Sequence, residues 1–134
     1  MALDKAVSPR LAIGVGCRRN CLAAAIEAVV KEACTGLHFA GAEFFTLDAK
    51  RDEPGLLQAV AAFGLPITFL TLDAMEPGLV GAITRSSRVK AAVGIASVAE
   101  AAALAGAGPG ARLLVPRLAR SGATCAVAAA KVAP

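Results

Sequence analysis

Short apolar runs alternate with amphipathic stretches along most of the chain. Leu11-Ala-Ile-Gly-Val-Gly16 is uninterrupted and ends in glycines, the pattern of a buried strand. Cys17-Arg-Arg-Asn20 reads as a turn with Asn20 as a helix N-cap. Leu22, Ile26, Val29, Val30 and Ala33 follow at helical spacing, with Glu27 and Lys31 four apart on the opposite face, and Gly36 closes the helix. Residues 43–47 predict a second strand and residues 48–53 a charged turn. A helix then opens around Asp52, Pro54 and Gly55, carries Leu56, Leu57, Val60 and Phe63, and stops at Gly64. Residues 66–70 predict a third strand, 72–79 a short irregular helix broken at Pro77-Gly78, and 84–88 a polar loop. Ser97 is placed to cap a helix over 98–105, with Glu100 at its third position in a capping box. After a loop over 106–110, strands over 113–115 and 123–127 flank a basic turn at 117–122 and form a hairpin.

The order β-α-β-α-β-α-α-β-β predicts an α/β fold. The expected form is a three-layer α/β/α sandwich around a mostly parallel five-stranded mixed sheet with an antiparallel C-terminal edge. At 134 residues one domain, 1–134, is expected, with 1–9 a flexible lead-in. Folding at this size buries about two-thirds of the surface, enough for a core without disulfides or metal.

Composition narrows the classes. A hydrophobic fraction of 57% excludes a disordered chain. It also overstates the core on this reading, because 33 residues are alanine, which is at home on exposed helix faces. Five Phe with no Trp or Tyr offer no stacking platform for bases, so nucleic acid is not an expected partner. Residues 54–72 carry no charge, but Pro54, Gly55, Gln58, Gly64 and Pro66 make them a helix, a turn and a strand rather than a membrane span. Asp4, Lys5 and Arg10 break up any signal peptide, so the expected location is cytoplasmic and the four Cys are expected as thiols. The net charge of +4 is unevenly placed: residues 77–134 hold 7 basic residues and one acid, Glu100. Such a field favours an anionic partner, although a merely solvated basic surface reads equally well.

In a sheet of this kind ligands bind beyond the carboxyl ends of the strands. Three loops fall there. The first, Gly14-Val-Gly-Cys-Arg-Arg-Asn20, joins glycines, a helix start and two guanidiniums suited to carboxylate or phosphate. It lacks the dinucleotide fingerprint, since Arg19 stands where the third glycine belongs. The second, residues 46–55, places Lys50 to hold an anion and Glu53 to move a proton. The third, residues 93–98, repeats a glycine before a capped helix. Each also reads as an ordinary turn. Cys17, Cys21, Cys34 and His38 mimic zinc-finger spacing, but a continuous helix would hold Cys21 and Cys34 roughly 20 Å apart, so no metal is expected. With one His, no Ser/Cys-His-Asp set offers itself. Read from the residues alone, a phosphate-ligand binding module is the default.

The blocks GVGCRRN, TLDAKRDEPGLL and VKAAVGIASVAEAAAL resemble the signature blocks of the CobE proteins and the C-terminal domain of CbiG, a family of cobalamin (vitamin B12) biosynthesis. The likeness runs from about Leu11 to Val127. It departs at Asn20 and Cys21, where the family has Gly and a small residue; Asn tolerates left-handed geometry. By position the resemblance singles out Gly14, Gly16, Cys17, Arg18, Arg19, Gly94, Ser97, Val98 and Glu100 for ligand binding. It marks Lys50 and Glu53 as candidate catalytic residues. It implies a protein of corrin ring synthesis most like the stand-alone CobE form, binding or acting on a precorrin, an anionic tetrapyrrole rich in acetate and propionate groups. The longer CbiG relatives resemble hydrolases that open a lactone on cobalt-precorrin-5A, so an enzyme here would be hydrolase-like. The alternative is a non-catalytic carrier or scaffold for another pathway enzyme. No cofactor and no membrane are implied.

Overall fold

The apolar run that opens the chain becomes the central strand of the sheet. The structure, a computed structural model, describes residues 10–38, 41–75 and 98–131. The lead-in 1–9, the helix residues predicted beyond 75, the polar loop 84–88, and Gly94 and Ser97 lie outside the described residues. The described strands are β1 (Leu11–Cys17), β2 (Glu43–Leu47), β3 (Ile67–Leu70), β4 (Arg112–Arg120) and β5 (Ala123–Ala129), and they form one sheet in the order β3-β2-β1-β5-β4. β1, β2 and β3 are parallel, while β5 runs antiparallel to β1 and β4 to β5. The expected mixed sheet with an antiparallel C-terminal edge is therefore observed.

The described helices are α1 (Ala23–Ala33), α2 (Pro54–Phe63) and α3 (Val98–Ala107). Alternation along β1 sorts them into layers. Leu11, Ile13 and Val15 join Ile26, Val29 and Val30 of α1 and Leu56 and Val60 of α2 in one core. Ala12, with Ala126 and Ala128 of β5, lies on the other face in a second core with α3, Phe45 and Met75. The uncharged run 54–72 is α2, a turn at Gly64 (φ 70°) and β3. No helix among the described residues is long and apolar enough to cross a membrane.

Several details differ from the sequence reading. The N-cap of α1 is Leu22; Asn20 sits two residues earlier in the left-handed region at φ 64°. The ion pair of α1 among the described residues joins Glu32 to Arg120 of β4 at 2.7 Å, in place of the expected Glu27–Lys31 pair within the helix. The basic stretch predicted as a turn is mostly strand. β4 runs through Pro116 and Arg117, which an edge strand with register shifts accommodates. The turn itself is Ser121-Gly122, with φ 52° and 86°, the positive pair of a tight hairpin. Finally, alanine is interior. Ala99, Ala101, Ala102, Ala103, Ala126 and Ala128 are all fully buried, because small side chains let α3 lie directly on the sheet. α3 continues past 105 through Gly106, where a Cβ would fall 2.4 Å from the ring of Phe45.

Candidate functional site

β1 and β2 both end at one edge of the sheet. Antiparallel pairing brings the β4–β5 hairpin to the same edge, since Cys17 stands opposite Ala123. A cleft of about 440 Å³ lies there, within the range of small-ligand sites. Gly16, Cys17 and Arg18 form its floor and one rim, Leu47 and Lys50 come from the end of β2, Val98 from the start of α3, and residues 119–124 from the hairpin. The topology thus gathers four stretches that lie far apart in sequence.

Arg18 is fixed at the rim by its surroundings. Its backbone N–H donates to the Gly122 carbonyl at 3.0 Å, extending the β1–β5 ladder by one bond. Its side chain lies across the hairpin turn; a Cβ at Gly122 would come within 2.9 Å of Arg18 Nε. Lys50 ends a 3-10 turn, Asp48–Lys50, directly after β2. The neighbouring Asp48 is occupied by Arg51, whose Nε donates to Asp48 Oδ1 at 3.0 Å and whose guanidinium covers the Phe69 ring at 4.9 Å. Among the described residues, Arg18 and Lys50 make no ion pair, and Arg120 shares Glu32 of α1. Among the described residues no acid lines the cleft, while Leu47, Val98, Ala119 and Ala123 give it apolar wall.

Cys17 is half-buried in this cleft. Burial raises its thiol above the ordinary value of 9.0; the Lys50 ammonium pulls it down, and Cys21 and Glu53 push it up. It is a neutral thiol at neutral pH. Cys21 and Cys34 flank α1, and no group of three or more His, Cys, Asp or Glu side chains among the described residues converges in a way that could hold a metal.

Of the residues singled out from sequence, Gly16, Cys17, Arg18, Lys50 and Val98 meet around the cleft. Arg19 is exposed beside it. Gly14 lies under α3, where a Cβ would sit 2.0 Å from the Ala99 carbonyl oxygen, so the approach its missing side chain permits is that of a helix. Glu100 is fully buried and accepts from the Arg117 backbone N–H at 3.0 Å, tying α3 to the irregular part of β4. Glu53 is not among the lining residues; its Oε1 accepts from the Asn20 N–H at 2.9 Å. The sequence reading predicted the hairpin and placed Leu47 in its second loop, but assigned neither Leu47 nor the hairpin's Arg120, Ser121 and Thr124 to the site. The signal for the hairpin was present, since a strand paired antiparallel to β1 begins at the carboxyl end of β1, and the turn before it lies there.

Comparison with known proteins places the chain in a family. Residues 11–128 match the model of the family described as "Cobalamin synthesis G C-terminus". The chain is 33% identical over 121 residues to Protein CobE of Sinorhizobium sp, covering 88% of this chain and 79% of that one. It superposes on the crystal structure of CobE, a protein from the cobalamin (vitamin B12) biosynthetic pathway, with a TM-score of 0.80 at 32% identity, covering 94% of each chain. Cobalamin biosynthesis protein chiG from Agrobacterium tumefaciens matches with a TM-score of 0.68 at 33% identity, covering 90% of this chain and 98% of that one. The chain belongs to the cobalamin synthesis G C-terminus family, with the CobE proteins among its relatives.

Proposed function

We propose that the cleft binds a precorrin-type intermediate of corrin ring synthesis, a modified tetrapyrrole, through its side-chain carboxylates. One observation carries this reading: among the described residues, the cleft presents Arg18 and Lys50 without ion-pair partners, beside apolar wall and with no acid in its lining. Cationic rims suit acetate and propionate groups, and the apolar wall suits a ring edge. The basic C-terminal part adds attraction at longer range.

The described lining holds no carboxylate and no imidazole. Its chemistry is therefore charge neutralisation, with Lys50 and Arg18 placed to hold a carboxylate or to stabilise a developing oxyanion. This favours holding and presenting the tetrapyrrole over abstracting a proton from it.

The test is titration of the purified chain with uroporphyrin, a stable tetrapyrrole bearing acetate and propionate groups, followed by visible absorbance. Lys50 is half-buried, and Lys50→Ala should weaken binding by roughly tenfold, about 1.4 kcal/mol. Arg18 is exposed to solvent, and Arg18→Ala should cost about threefold. A parent chain that does not bind, or two variants that bind like the parent, would refute the reading.

A further inference from the structure

Glu53 stands at the N-cap of α2 but makes no side-chain cap bond to that helix. Its carboxylate reaches across the sequence instead and accepts the backbone N–H of Asn20, 33 residues away, at 2.9 Å. Its own backbone is held on both sides: its N–H donates to the Lys50 carbonyl and its carbonyl accepts from the Leu57 N–H, each at 3.1 Å. The far partner is equally constrained. Asn20 has φ 64°, and the next N–H, of Cys21, donates back to the Arg18 carbonyl at 3.1 Å, closing the turn that carries Arg18. Beside this bond the two loops touch through backbone, since a Cβ at Gly55 would lie 2.1 Å from the Cys21 carbonyl oxygen.

We infer that Glu53 is a positioning residue, whose carboxylate oxygen ties the Arg18 turn to the Lys50 turn as a hydrogen-bond acceptor and so sets where the two cations stand. The inference rests on the reading of the cleft as a tetrapyrrole carboxylate site. Acceptor and charge act in opposite directions here. The acceptor holds Arg18 and Lys50 in register, whereas a negative charge beside a site for a polyanion works against binding. Proton abstraction by Glu53 would need the carboxylate itself. Positioning needs only an oxygen, which a glutamine amide also supplies.

Glu53→Gln and Glu53→Ala separate the two. Each variant is titrated with uroporphyrin, and the exchange rate of the Asn20 amide proton is measured without ligand. Glu53→Gln should bind at least as tightly as the parent and keep the Asn20 amide protected. Glu53→Ala should bind about three- to tenfold more weakly, with faster Asn20 exchange. Equal affinity in the two variants, or Asn20 exchange in Glu53→Ala as slow as in the parent, overturns the inference. If the parent itself ignores uroporphyrin, the reading of the cleft fails, and the Asn20 exchange rates alone then decide whether Glu53 holds the turn.

Discussion

Replacing Gly14 by alanine tests the closest contact between the sheet and α3. Gly14 is buried in the middle of β1, and a Cβ there would lie 2.0 Å from the Ala99 carbonyl oxygen and 2.7 Å from the Ala103 nitrogen. Both partners are backbone, so no rotamer can yield. Relief to an ordinary contact requires α3 to move off the sheet by roughly 1.4 Å, and a gap of even 0.5–1 Å forfeits about a quarter to a half of the dispersion well for the atoms facing it. Ala99, Ala102 and Ala103 are all fully buried and would share in that loss. Overpacking ordinarily costs about 1–3 kcal/mol, and a backbone collision belongs at the upper end, about 3 kcal/mol. Against a total stability of about 5–15 kcal/mol this is a large fraction. At this size it should lower the melting temperature by about 10–15 °C. Urea denaturation read by circular dichroism provides the free energy, with Gly36→Ala as control: Gly36 has φ 80° but nothing within 4 Å of a Cβ, so strain alone should cost about 1 kcal/mol. A Gly14→Ala loss no larger than that of Gly36→Ala would refute the packing argument. A stable Gly14→Ala that fails only in tetrapyrrole binding would return Gly14 to the role of a ligand contact.

Two further predictions concern the thiols. Cys17 should alkylate slowly at pH 7, and Lys50→Ala should slow it further, since removing the cation that lowers this thiol leaves burial unopposed; initial rates with iodoacetamide check both. Burial also raises Cys34 to about 11 and Cys125 well above the ordinary 9.0. The folded state keeps these protons where the unfolded state releases them. Their contribution is therefore complete below pH 9 and is lost as pH rises above it, at up to about 1.4 kcal/mol per pH unit for each thiol. Urea midpoints measured from pH 7 to 10 should be level at first and fall above 9, and Cys125→Ala should flatten the fall.

How much was legible in the sequence follows from how local each signal is. Strand and helix order rests on periodicity and on punctuation by Pro54, Gly36 and Gly64, all carried by neighbouring residues, so the α/β class and the antiparallel edge were readable. The family blocks likewise brought Gly16, Cys17, Arg18, Lys50 and Val98 forward, and the fold gathers these around one cleft. What tertiary structure alone decided was each residue's partner. Gly14 and Gly16 are two positions apart on β1, yet a Cβ would meet the α3 backbone at one and Thr124 Oγ1 at the other, a difference set by packing across the sheet. Alanine suits an exposed helix face or a close-packed one equally well, and the approach of α3 to the sheet selected the second. Glu53 has the look of a base or a helix cap from its neighbours. Its actual partner, Asn20, is 33 residues away, and only the folding of β1 beside β2 brings that N–H within reach.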